Sequence, residues 1–283
     1  MGTSRNDVEI AYLKSNIGDI YEIQGKFEDA LEFLQQSLEM RKVIHCNNPH
    51  PNVASSLHSI GLVYQKLGEY TKAMKYYEES LQMERHIHGS NPHPSVASSL
   101  HQIGIVYQKQ GEYTKAMKYY EESLQMKSHI HGSNPHPAVA SSLHQIGCVY
   151  QELGEYTNAM KYYEESLQME RHIHSNNPHP AVASSLHNIG AVYQKLGEYT
   201  KAMKYYEESL QMKSHIHGSN PHPAVASSLH QIGCVYQEQG EYTKAMKYYE
   251  ESLQMERHIH SNNPHPSVAS SLHQIGCVYQ EQE

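Results

Sequence analysis

The sequence predicts an all-α solenoid built from antiparallel helix pairs, and three observations carry that prediction. A block of 43 residues recurs almost letter for letter: Gly18, Gly61, Gly104, Gly147, Gly190, Gly233 and Gly276 keep that step, as do Pro51, Pro94, Pro137, Pro180, Pro223 and Pro266. Apolar residues inside the block follow a helical period rather than the alternation of strands. Proline and glycine fall where helices would start and stop. A fixed period of this length marks one supersecondary unit stacked on copies of itself. The 283 residues therefore read as a single repeat array over 1–283, with one continuous core, rather than as two ordinary domains.

In chain order, residues 5–51 form an atypical N-terminal repeat. Its first helix carries Tyr12, Ile17, Gly18 and Tyr21, and its second Phe27, Ala30, Phe33, Leu34 and Leu38. Altered letters in a terminal unit are expected of a cap. Near-identical repeats follow at 52–94, 95–137, 138–180, 181–223 and 224–266, and a lone first helix at 267–283 ends the sequence. Within residues 95–137, Val96, Leu100, Ile103 and Tyr107 lie at i, i+4, i+7 and i+11, one face of a helix. That helix is expected to begin just after Pro94, where a missing N–H costs nothing, and to stop at Gly111. The second helix is expected to start near Thr114 as N-cap, to bury Ala116, Met117, Tyr120 and Leu124, and to fray near His131 before Asn134-Pro135-His136-Pro137. A link as short as Gly-Glu-Tyr makes the two helices antiparallel neighbours.

Tyrosine, used 23 times against two Phe and no Trp, must supply much of the packing. A formal charge of −8 excludes the basic footprint of a nucleic-acid binder. Protonating all 23 histidines would carry it to +15. Of the four cysteines, Cys148, Cys234 and Cys277 share one repeat position that elsewhere holds Leu62, Ile105 or Ala191. This is a small apolar slot rather than a disulfide or metal position, as fits a reducing, cytoplasmic compartment. No apolar run has the length of a membrane span, and the N-terminus lacks a signal-peptide pattern.

Leu100-x2-Ile103-Gly104-x2-Tyr107 followed by Ala116-x3-Tyr120 resembles the tetratricopeptide repeat, with Leu for the usual Trp and Tyr for the usual Phe. The long second helix and proline-bearing loop are similar to the repeats of kinesin light chains and related arrays. The resemblance implies a right-handed superhelix whose first helices line a concave groove. It also implies binding of a protein or extended peptide partner without a cofactor or catalysis. Where those arrays place paired asparagines, this chain has His101-Gln102, and no basic-plus-asparagine carboxylate clamp is present. The cargo is therefore not carried over.

Ser98, His101, Ile105 and Gln108 form a second stripe on the first helix. If it faces the groove, stacking produces two ladders: His58, His101, His144, His187, His230 and His273, beside Gln65, Gln108, Gln151, Gln194, Gln237 and Gln280. Imidazole and amide each donate and accept hydrogen bonds, which suits an extended peptide. The bland alternative is that these groups satisfy one another across neighbouring repeats. Histidine titrates near pH ~6.5, so such a ladder is expected to make binding pH-sensitive. His129, His131 and His136 invite a metal reading, but no Cys or carboxylate accompanies them in the loop, and a last-turn position complementing the helix dipole explains the first two. No metal site is predicted. Nor is an enzyme, since no GxSxG, P-loop, HExxH or paired-carboxylate pattern occurs.

Residues 95–137 and 138–180 agree at 34 of 43 positions, and 138–180 differs from 224–266 at two. Glu84, Lys127, Glu170, Lys213 and Glu256 alternate before His-Ile-His, which points to duplication of a two-repeat block. A groove so uniform suits a repetitive ligand, an extended backbone or avidity towards several weak motifs. The alternative function is a structural rod or spacer arm, self-associating end to end through Leu272, Ile275 and Tyr279 of the last helix, because a contact that does not close makes a filament.

Overall fold

In a computed structural model of the protein, residues 5–261 and 263–282 are described. The last residue of the predicted terminal helix, Glu283, lies outside them. The described residues form thirteen α-helices and no strand: α1 (Arg5–Ile23), α2 (Phe27–Ile44), α3 (Pro51–Lys66), α4 (Tyr70–His88), α5 (Pro94–Lys109), α6 (Tyr113–His131), α7 (Pro137–Glu152), α8 (Tyr156–Ile173), α9 (Pro180–Lys195), α10 (Tyr199–His217), α11 (Pro223–Glu238), α12 (Tyr242–Ile259) and α13 (Pro266–Gln282). The chain divides into two units, Met1–Asn134 with α1 to α6 and Pro135–Glu283 with α7 to α13.

In the first unit α1 pairs with α2, α3 with α4 and α5 with α6, and α2 packs on α3 as α4 packs on α5. The second unit repeats this scheme, closing with α13 against α12. Two contacts fix each pair. Ser80 Oγ donates to the Ala54 carbonyl at 2.9 Å, and Gly61 lies against the Tyr77 ring, so the residue numbers of the two helices run in opposite directions. A Cβ on Gly61 would come within 2.7 Å of Tyr77 Cε1, which is why this position holds glycine. The pairs are antiparallel, as the short links require.

Each first helix from α3 onward begins at its proline, preceded by a histidine N-cap that the sequence did not announce. His93 Nδ1 accepts from the Ser95 N–H at 3.3 Å, and His50, His136, His179, His222 and His265 do the same two residues on. At the other end Glu112 N–H bonds to the Tyr107 carbonyl and Gly111 N–H to that of Gln108, the paired closure of a left-handed glycine cap at φ 76°. The second helix then starts at once, at Tyr113 after Glu112, with no side-chain cap. The expected Thr114 cap is thus a helical residue, because the glycine closure leaves no room for a separate cap.

Val96, Leu100 and Ile103 are fully or nearly buried, joined by Val106, while Tyr107 is half-buried. Ala116 and Tyr120 fill the second-helix face. The first repeat departs from its expected pattern: Tyr12 is 61% exposed and Ile17 also faces solvent, since no described helix covers that side of α1. No described helix is long and apolar enough to cross a membrane.

Candidate partner-binding surface

The ladder residues sit on first helices, half-buried, apart from exposed His273 and Gln280 on α13. Each buried tyrosine of a second helix reaches the glutamine of its own repeat. Tyr77 donates to Gln65, Tyr120 to Gln108, Tyr163 to Gln151, Tyr206 to Gln194 and Tyr249 to Gln237, at 2.7–2.9 Å. These five hydroxyls lie inside, in contact with the stripe. The glutamine Oε1 is therefore committed to the fold. Gln194 and Gln237 also use Nε2, towards Glu238 and Glu281 of the following repeat.

The histidines lean on the same tyrosines, with ring centroids 5.1–5.3 Å apart for His58, His101, His144, His187 and His230. His58 Nδ1 bonds to Ser99 Oγ and His144 Nδ1 to Ser185 Oγ, both at 3.2 Å and both across to the next repeat. His144 Nε2 further meets the Asn188 amide at 3.1 Å. In contrast, Nδ1 of His101 and of His187 is buried without a hydrogen-bond partner among the described residues. Much of the ladder thus satisfies itself across repeats, the bland alternative, while two of its histidines do not.

Burial pulls the His58 imidazole down to about 4. Burial, with the Lys127 ammonium nearby, takes His101 to about 3; burial with Lys213 takes His187 to about 4. His144 and His230 are also lowered by burial, the latter against the pull of Glu256. The His58, His101 and His187 rings remain neutral in mild acid. At these three positions burial works against the expected pH sensor, because desolvation outweighs the local charges.

The histidines of the loops form a different arrangement. The last-turn ring stacks face to face on the N-cap ring of the next helix: His45 on His50, His88 on His93, His174 on His179, His217 on His222 and His260 on His265. Centroids are 3.4–3.6 Å apart and the planes lie within 11°. Parallel rings direct their nitrogens side by side rather than towards one ion, so the geometry is that of packing. Among the described residues no three His, Cys, Asp or Glu side chains converge as metal ligands do.

Of the predicted self-association face, Leu272 and Tyr279 are 45% and 57% exposed. Ile275 is instead half-buried against Ala245, Tyr249 and Val278.

Sequence reasoning missed the role of the alternating charged position. Arg41, Glu84, Lys127, Glu170 and Glu256 are all at most 9% exposed. At four junctions within a unit the charged group addresses the next first helix. Arg41 Nη1 donates to Ser56 Oγ at 2.7 Å, Ser185 Oγ donates to Glu170 at 2.9 Å, Lys213 Nζ donates to Ser228 Oγ at 2.7 Å, and Ser271 Oγ donates to Glu256 at 3.2 Å. The signal was available: Glu84 continues the buried face Ala73, Tyr77, Leu81 at helical spacing.

With this geometry the sequence relationships become informative. The family model described as Tetratricopeptide repeat matches residues 8–86, 95–171 and 181–258, and the chain belongs to that family. No curated protein sequence matches it. Among solved structures, BtubC (BKLC) from P. vanneervenii superposes with a TM-score of 0.72 at 20% identity, covering 85% of this chain and 94% of that one. A Podosopora anserina putative kinesin light chain with nearly identical TPR-like repeats gives 0.62 at 22% identity, over 74% of this chain and 98% of that chain. A Rap protein complexed with competence and sporulation factor gives 0.63 at 12% identity, over 96% and 75%. At such identities the likeness is one of fold: a tetratricopeptide-like, long-repeat array.

Proposed function

We propose that the protein is an interaction scaffold, not an enzyme, that holds a protein or extended peptide partner along its first-helix surface. The observation that carries this reading is the partly exposed polar stripe, His101 and Gln108 with their counterparts, presented at one position in repeat after repeat. Membership of a family of interaction modules supports it, and so does the Rap chain, which shares the fold and was solved with a factor bound. The absence of a membrane-length helix is compatible with the cytoplasmic setting suggested by its free cysteines.

The test is to pan a random peptide library against the full chain and against a His101→Ala, His187→Ala variant. The Nδ1 atoms of these two rings have no partner to abandon among the described residues. Peptides captured by the parent and lost by a variant of unchanged helicity would place the partner on the ladder. Capture by neither would remove the reading.

A rod or spacer is the second reading, favoured by the apolar residues exposed on the first and last helices: Tyr12, Ile20 and Ile23 on α1, and Leu272 and Tyr279 on α13.

A further inference from the structure

The charged position at the end of each second helix changes sign along the chain: Arg41, Glu84, Lys127, Glu170, Lys213, Glu256. A carboxylate taken out of water needs replacement donors, and a cation is the strongest of them. The glutamate junctions supply only hydroxyls. Ser185 and Ser271 give Glu170 and Glu256 one good bond each, whereas Glu84 has a long bond, 3.5 Å from Ser80 to Oε1, with the Ser95 and Ser99 hydroxyls also beside it. Glu84 is 4% exposed, and its Oε2 has no hydrogen-bond partner among the described residues. Burial raises the Glu84 and Glu170 carboxyls above the ordinary range, against the pull of neighbouring serine hydroxyls. The adjacent Arg85 does not help, since its guanidinium is paired with Glu122.

Beside this carboxylate there is space. Glu84 lines a cavity of about 310 Å³ with His58, His88, His93, Ser55 and Ser98. Glu256, at the equivalent position, lines one of about 520 Å³ with His230, His260, His265, Ser227 and Ser270. Cavities of this size hold a small ligand or one long side chain. Their walls offer a carboxylate, hydroxyl oxygens and flat imidazole rings, with no fixed cation. At the Lys213 junction the chain places its own amine beside the corresponding Ser228, so a basic side chain fits this position even though burial lowers it.

We propose that each glutamate junction is a pocket for one cationic side chain, Lys or Arg, of an extended peptide partner. The Lys213 junction carries the opposite sign and rejects the same residue. This proposal rests on the scaffold reading above and names the partner chemistry that the scaffold selects.

The experiment pans one random peptide library against three full-length proteins: the parent, Glu84→Gln/Glu170→Gln/Glu256→Gln, and Glu84→Lys/Glu170→Lys/Glu256→Lys. Lysine already occupies this position in alternate repeats, so the third protein keeps a side chain the fold accepts. The parent pool is expected to be rich in Lys and Arg, and its best peptide to bind the Gln variant about tenfold more weakly, the loss of one charge-assisted bond. The Lys variant is expected to capture acidic peptides instead. A parent pool without basic enrichment, or one unchanged in both variants, overturns the pocket while leaving the scaffold standing. If no protein captures peptides, the scaffold reading itself fails.

Discussion

At the scale of single residues, the tyrosine that fills each helix pair decides most of what surrounds it. Tyr77 presses on Gly61, stacks near His58 and donates to Gln65, so three positions on α3 depend on one side chain of α4. Tyr77→Phe should cost ~1 kcal/mol in urea denaturation, the net worth of a hydrogen bond whose acceptor stays half-exposed. Gly61→Ala should cost more, ~1–3 kcal/mol, because its Cβ would fall within 2.7 Å of the ring and the ring has no space to retreat. If the alanine variant is as stable as the parent, the close approach is not real. The imidazoles of His58, His101 and His187 should not titrate between about pH 7.5 and about 5. Their imidazole resonances should stay at neutral positions in an NMR titration, since burial holds His58 and His187 near about 4. A midpoint near the ordinary histidine value would contradict that burial.

At the scale of elements, the loop histidines join one helix to the next. His93 caps α5 through Nδ1 and stacks on His88, the last residue of α4. Protonation at Nδ1 would remove the acceptor and place a cation at the positive end of the helix dipole. Burial and the neighbouring ring lower the N-cap histidines His93, His179 and His222, and lower His45 on the other side of a stack. His93→Asn keeps a capping acceptor and should be nearly neutral; His93→Ala should cost ~1 kcal/mol. Equal loss in both, measured by thermal melting, would show that the stack rather than the cap is what matters. Glycine also sets where the helices end. Repeats with Gly89, Gly132 or Gly218 extend through His88, His131 or His217, whereas Ser175 and Ser261, at positive φ, follow helices that stop at Ile173 and Ile259.

At the scale of the molecule, these small shifts add along the repeats. Among the described residues, His45, His58, His93, His101, His144, His179, His187, His222 and His230 are lowered in the folded chain. Against the ordinary value of 6.5, the unfolded chain binds more protons below that pH. Their contribution is therefore fully present above it and is lost as pH falls towards the folded values, about 4 for His58. Asp19, Glu84 and Glu170 are raised and act in the opposite sense, but they are three, and their ordinary values of 3.8–4.5 place them lower on the scale. Melting temperature should accordingly fall steadily between about pH 6.5 and about 5; a flat profile would mean that the histidines are solvated. For the rod reading, the parent's molar mass should grow with concentration, and Leu272→Glu with Tyr279→Ser should hold it at that of the monomer. A parent that stays monomeric over a hundredfold range, read by sedimentation, would leave the exposed ends without that role.

The sequence alone determined the period, the pairing of helices, their starts at proline and stops at glycine, and the family. Those are local properties: periodicity and backbone geometry are written in consecutive residues, and six copies remove ambiguity. It could not decide what the polar stripe does, because His101 and Gln108 look the same whether they face a partner or a tyrosine hydroxyl beneath them. Nor could it reveal that histidines cap and stack, or that Glu84 lies buried with an unpaired oxygen. Those outcomes depend on groups brought together from separate helices, and only the packed tertiary structure fixes which donors reach which acceptors and how much water is left beside a charge.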